Sequence, residues 1–236
     1  MKKYIFTAFA LLVTLPQLVF AQGYIATYTM KVSDVPQFAK EMDSLMASDW
    51  GQAFPGYVSL THYAFNGYDD ATHAVIINYD DTDQMASGTE MFYQPAFGAF
   101  LAKTSSYVEA VEQSLHMKLI SGGESDPEKN KVYTVYRMDV KDPASYAKAY
   151  SKIVKAQEDS GNMDGGYGLR AQVAGNNSYY SHYAFVGASS IKSAMEGQQQ
   201  LYSSDEFAEF SKAVSGNRKL IQTSTVVVLA LSLIHI

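Results

Sequence analysis

The chain repeats itself over the length of a whole domain. Tyr28-Thr29-Met30-Lys31-Val32-Ser33-Asp34 returns 108 residues later as Tyr136-Arg137-Met138-Asp139-Val140-Lys141-Asp142. Domains commonly run to about 100–150 residues, so a period of this size is a complete folding unit and not a short solenoid repeat. The fold must be one that two copies of such a unit can build together.

Each copy opens with a strand of alternating character, residues 24–32 and 132–140, in which Tyr28, Met30 and Val32 share a face, as do Tyr136, Met138 and Val140. Asp34 and Asp142 suit helix N-caps and Pro143 suits a first turn. Behind them, Phe38, Met42, Leu45 and Met46 match Tyr146, Tyr150, Ile153 and Val154, and their spacing makes one apolar stripe. Gly56-Tyr57 and Gly166-Tyr167 then open hairpins. The first runs from 57–65 through Asn66-Gly67 into 71–79, the second from 167–174 through Gly175-Asn176-Asn177 into 179–186. A second helix follows Asp80-Asp81-Thr82-Asp83 or Ala188-Ser189-Ser190, and a fourth strand closes each copy, 108–120 and 220–230. The order is βαββαβ, the ferredoxin-like unit. Helices cover one face of such a sheet, yet Val58, Leu60, Tyr63 and Phe65 put apolar or aromatic groups on both, so the second face needs a cover and the other copy is the economical one. The expectation is an α+β fold of two tandem ferredoxin-like repeats, 22–121 and 131–230, packed sheet to sheet as an intramolecular barrel. A Gly-, Pro- and charge-rich linker, residues 122–130, separates them.

Residues 1–21 place Lys2 and Lys3 before an apolar run that ends in Val19-Phe20-Ala21. This reads as a cleaved export signal leaving Gln22 first, in a periplasmic or secreted protein. Pro16 and the short apolar core argue against a spanning helix, which needs roughly 20 apolar residues. With no cysteine anywhere, stability must come from a hydrophobic core. Losing Lys2 and Lys3 takes the formal charge from −6 to −8, which makes nucleic acid and anionic membrane poor partners. One chain suffices for the barrel, and further oligomerisation is left open. The last six residues, Leu231-Ser232-Leu233-Ile234-His235-Ile236, look like the translation of a transposon end used in sequencing libraries; they are expected to be an artefact, so His235 carries no functional weight. A natural apolar end to the last strand is the alternative.

No phosphate loop, nucleophile elbow or metal-ligand spacing is present, so neither a cofactor nor a metal is expected. Asp80-Asp81-Thr82-Asp83 lacks the glycine and distal glutamate of a calcium loop and reads as a helix start. The best constellation is His62 with His73. A two- or four-residue turn at Asn66-Gly67 would pair residues whose numbers sum to an odd value and bring the two imidazoles to one face. They are the candidate catalytic residues, able to polarise a carbonyl or take a proton near neutral pH, with Trp50, Tyr63, Asn78 and Tyr79 as candidate ligand contacts. The plainer reading makes them sheet histidines bonded to neighbours. In the second copy His73 has a counterpart in His182, but His62 falls on Gln172, Asn78 on Gly187, and Trp50 has no aromatic equivalent, so a single site is expected in the first copy.

The strand-helix order, the acidic turn after Asn78-Tyr79 and the Tyr93 to Phe100 stretch, Tyr-x-x-x-Phe-x-x-Phe, echoed from Tyr202 to Phe210 with one extra residue, make the chain resemble the dimeric α/β-barrel superfamily. That superfamily includes antibiotic-biosynthesis-monooxygenase-like proteins, and the chain resembles a tandem fusion of two such units. The resemblance implies a cavity between sheet and helices. It also spans oxygenases, haem-handling enzymes, isomerases and proteins without a known reaction. Cofactor-independent oxygenases of this kind use an Asn, Trp and Tyr cluster, residue types that Asn78, Trp50 and Tyr79 supply. The haem-degrading branch uses an Asn on the first strand and a His on the second helix, and neither position is so occupied here. The expected function is binding of a small apolar or aromatic molecule, with a cofactor-independent monooxygenase-like or isomerase-like enzyme as the alternative and a structural or interaction domain as a third.

Overall fold

The computed structural model describes residues 23–124, 126, 129–163, 165–175 and 179–231, without the side chains of 230 and 231. The expected export signal, residues 176–178 of the second hairpin turn and residues 232–236 lie outside the described residues. In chain order the elements are β1 (Tyr24–Val32), α1 (Val35–Met46), α2 (Asp49–Ala53), β2 (Tyr57–Phe65), β3 (His73–Tyr79), α3 (Thr82–Met91), α4 (Pro95–Thr104) and β4 (Val108–Gly122). There follow β5 (Val132–Val140), α5 (Pro143–Asp159), β6 (Tyr167–Ala174), β7 (His182–Ala188), α6 (Ile191–Ser203), α7 (Asp205–Ala213) and β8 (Arg218–Leu231). Eight antiparallel strands close into one barrel in the order β1-β3-β2-β8-β5-β7-β6-β4.

Local sequence explains most of these boundaries. Asp34 accepts from the Gln37 amide at 3.1 Å and Asp142 from the Ser145 amide at 3.1 Å, so both first helices start where a carboxylate satisfies an orphan N–H. The second helix of each half is in fact two. Pro95 opens α4 and Ser204 caps α7, each ending the helix before it. The first half also has the five-residue α2, capped by Ser48 and carrying Trp50, which the second half lacks because α5 runs unbroken for 17 residues.

Packing sheet to sheet was expected, and the structure refines it: the halves are joined edge to edge by hydrogen bonds. Both fourth strands are long, 15 residues in β4 and 14 in β8. The early part of β4 pairs with β1 and its later part with β6, while β8 pairs with β5 and then with β2. Every sheet edge is thereby used up, which removes the liability of exposed edge strands. β4 also runs to Gly122, into the expected linker, and Asn130 pins that linker by bonding the carbonyls of Glu124 and Asp126 and accepting from the Gly166 amide at 2.7 Å.

Alternation along the strands divides the side chains between two environments. Ala26, Met30, Val32, Val58, Leu60, Ile77 and Tyr79 pack with Phe38, Met42 and Leu45 of α1 on the helix-facing side. Met138, Val140, Leu169 and Ala184 do the same with Tyr146, Tyr150 and Ile153 of α5. The intervening residues point into the barrel.

Candidate functional site

His62 and His73 are direct cross-strand partners, with ring centroids 5.1 Å apart. His73 is buried and its Nδ1 lies 2.8 Å from the Thr72 hydroxyl. Burial, and secondarily the neighbouring His62, hold its pKa below the ordinary imidazole value. His182 repeats the arrangement with Ser181 at 2.9 Å. The remaining expected contacts do not gather around this pair. Tyr63 alternates to the opposite face and shares the barrel interior with Arg137, Asp69 and Glu112. Asn78 is exposed on that same opposite face. Trp50 and Tyr79 are on the helix side but inside an aromatic plug: Trp50 donates to the Met91 carbonyl at 3.0 Å and stacks on Phe54 and Phe97 at 4.9 and 5.5 Å. Phe92 and Phe100 complete the filling. Among the described residues no group of three His, Cys, Asp or Glu could hold a metal ion.

A cavity of about 320 Å³ lies instead in the second half, between β5, β7 and α6. It is lined by Thr134, Tyr136, Val186 and Ala188 of the sheet, by Gln157, Gly161, Asn162 and Met163 at and beyond the end of α5, and by Ala194, Gly197, Gln198 and Leu201 of α6, among others. The reason for the space can be read from equivalent positions. Tyr79 pairs with Tyr24 in the first half, as Ala188 pairs with Val132 in the second. The Tyr79 ring sits against Gly88 so closely that a Cβ there would lie 2.7 Å from it; the corresponding glycine is Gly197, and Ala188 has no ring to lay on it. Trp50 and Phe54 likewise lack a counterpart.

The cavity has a polar pole. Gln198 Nε2 donates to the Tyr136 hydroxyl at 3.0 Å and to the Tyr202 hydroxyl at 3.1 Å, and the two phenols are 3.5 Å apart. Burial raises the Tyr136 pKa above the ordinary phenol value, with Tyr202 adding to the shift, so the hydroxyl keeps its proton. Tyr136 was legible in the sequence only as a strand residue, and Gln198 carried no signal of its own.

A second polar cluster lies inside the barrel. Arg137 Nη1 is 3.5 Å from Asp69 and 3.6 Å from Glu112, with its guanidinium 5.1 Å above the Tyr180 ring. Tyr180 donates to Glu112 at 3.2 Å, which leaves His116 Nε2, 3.0 Å away, to donate to Tyr180. Burial first, and Arg137 second, push the His116 pKa down to about 3, so this imidazole is neutral. Burial alone would weaken the Arg137 charge, but Tyr63, Tyr180, Glu112 and Asp69 outweigh it and hold its pKa above the ordinary value. The cluster ties β4, β5 and both hairpin ends together across the interior. It is built as an ionic network in which His116 Nδ1 has no hydrogen-bond partner among the described residues.

No protein-family model matches the sequence, and no curated protein does. Solved structures do match. A candidate monooxygenase from Fusobacterium nucleatum subsp. nucleatum superposes with a TM-score of 0.61 at 16% identity, over 89% of this chain and 94% of that one. An anthrone oxidase-like protein gives 0.60 at 9% identity, over 90% and 94%. The fold is theirs. A haem-binding protein from Thermus thermophilus gives 0.53 at 10% identity, over 89% and 92%, and chlorite dismutases are among the other matches. Likeness at such identity establishes the eight-stranded α+β barrel and leaves function to the site. Among the described residues no helix is long and apolar enough to cross a membrane.

Proposed function

We propose that the protein is an exported small-molecule barrel built of two ferredoxin-like repeats, with its site in the cavity beneath α6. The observation that carries this reading is the cavity itself, which lies at the small end of the roughly 300–1,000 Å³ range of ligand sites. Val186, Met163 and Leu201 offer apolar walls, while Tyr136, Gln157, Asn162 and Gln198 offer hydrogen bonds. The ligand is therefore a small organic molecule with an apolar body and at least one polar group, a more polar occupant than the sequence suggested.

The structural neighbours favour an enzyme-like version of this reading, a monooxygenase or oxidase, since candidate monooxygenases and an anthrone oxidase-like protein are among them; the cofactor-independent form is the one we propose. Haem fits less well. Haem iron takes His, Cys, Met or Tyr as its protein ligand. Among the described lining residues there is no His or Cys, the Met163 thioether is the only sulfur, and the Tyr136 phenol is protonated and already engaged by Gln198.

The test is to fill the cavity the way the first half does. Ala188→Tyr should lay a ring on Gly197, keep or raise the melting temperature, and abolish the thermal shift produced by aromatic ketones and phenols in the wild type. Wild-type protein that shifts with none of them, or a variant that still shifts, removes the site. Oxygen uptake with an anthrone-type substrate then separates turnover from capture. Export through a signal at residues 1–21 that is then cleaved is part of the proposal, with the terminal six residues read as an artefact; intact-mass measurement of native protein should show a chain beginning at Gln22.

A further inference from the structure

Resting on that cavity as the site, we infer that its occupant is selected by a hydrogen-bond acceptor, a carbonyl or ether-type oxygen, which receives the proton of the Tyr136 hydroxyl. Gln198 spends its amide N–H groups on the two phenol oxygens, at 3.0 and 3.1 Å. The remaining contact, 3.5 Å long and at the limit of a hydrogen bond, has Tyr202 donating to Tyr136. Tyr136 is thus an acceptor in both of its contacts, and its own O–H has no acceptor among the described residues. Tyr202 is half exposed and has water available. Tyr136 stands on a strand that faces the cavity, where the occupant is the group left to accept. Tyr136 is partly buried, and once an occupant displaces water from the cavity a donor left without a partner is costly, so a ligand that satisfies it gains over an isostere that cannot.

Gln198 is the positioning residue. Its amide, by donating, keeps both phenol oxygens occupied as acceptors and turns the Tyr136 proton toward the cavity. A carboxylate at the same place would accept from both phenols and draw that proton away, converting the pole from donor to acceptor without removing any hydroxyl.

The experiment uses two probes of the same shape, acetophenone and α-methylstyrene, which differ in a carbonyl oxygen against a methylene. Dissociation constants are measured by calorimetry for the wild type, Tyr136→Phe and Gln198→Glu. The wild type should prefer acetophenone by roughly five- to tenfold. Tyr136→Phe should abolish the preference while binding α-methylstyrene within about twofold of the wild type, and Gln198→Glu should abolish it too, although the phenol is still present. Equal binding of both probes by the wild type, or a preference that survives Tyr136→Phe or Gln198→Glu, overturns the acceptor inference and leaves the cavity as a site. If neither probe binds, the site and the inference fail together.

Discussion

His116 shows how a single residue sets the pH response of this molecule. It is 1% exposed and neutral, with a pKa pushed down to about 3, whereas an unfolded histidine titrates near 6.5. Between those values the unfolded chain binds a proton that the folded chain refuses. The stability His116 contributes is complete above pH 6.5 and is lost as pH falls toward 3, at most on the order of 5 kcal/mol. His73 and His182, also held low by burial, add to the same trend. Urea unfolding at pH 7 and pH 4.5 should show His116→Gln losing less stability on acidification than the wild type; equal losses would count against the assignment. Residues differ in how far the sequence revealed them. The His62 and His73 pairing followed from turn parity alone, because antiparallel register is arithmetic. His116 and Arg137 could not be found that way, since only barrel closure brings β4, β5 and the β6–β7 hairpin together. The cavity did leave a trace in the sequence, the change from Tyr79 to Ala188 at equivalent positions. Comparing the copies for chemically active groups passes over it; comparing them for side-chain volume does not.

Among elements, the seat of α3 on β3 is a close contact with a clear sequence cause. Gly88 is where the helix lies on the Tyr79 ring, and an added methyl would sit 2.7 Å from that ring. Tyr79 is itself 1% exposed and hemmed in by Phe54, so it has little room to move. Gly88→Ala should therefore destabilise by about 1–3 kcal/mol in spite of its better helix propensity. Gly197→Ala, over the cavity with nothing within 4 Å of the new methyl, should be neutral or stabilising. Chemical denaturation of both variants checks the contrast, and equal effects would show that the ring packing is not the cause. The strands and first helices were readable because alternation, caps and apolar stripes agree there. The five-residue α2 was not, being too short to show a period, and the breaks before Pro95 and after Ser203 were folded into one longer helix for the same reason.

For the molecule as a whole, closure through β2 with β8 and β4 with β6 makes each half depend on the other. Residues 22–121 produced alone would carry β2 and β4 as open edges and should self-associate through them or aggregate. Light scattering on that fragment decides the matter, and a folded, monodisperse monomer would contradict the interdependence. The expectation of a barrel held, although the inner face carries the Arg137, Glu112 and His116 network where an apolar lining was expected; the hydrogen-bonded seams were hidden, since nothing in a strand's own sequence names a partner some 160 residues away. Those seams also impose an order in time. A ribosome makes β2 long before β8, in which Val226 and Ala230 pair back to Tyr63 and Leu60. Until β8 has been made the nascent chain is an unsealed sheet offering two adhesive borders to whatever surrounds it. A protein assembled in this way gains from being held unfolded by a chaperone until its last strand has been delivered.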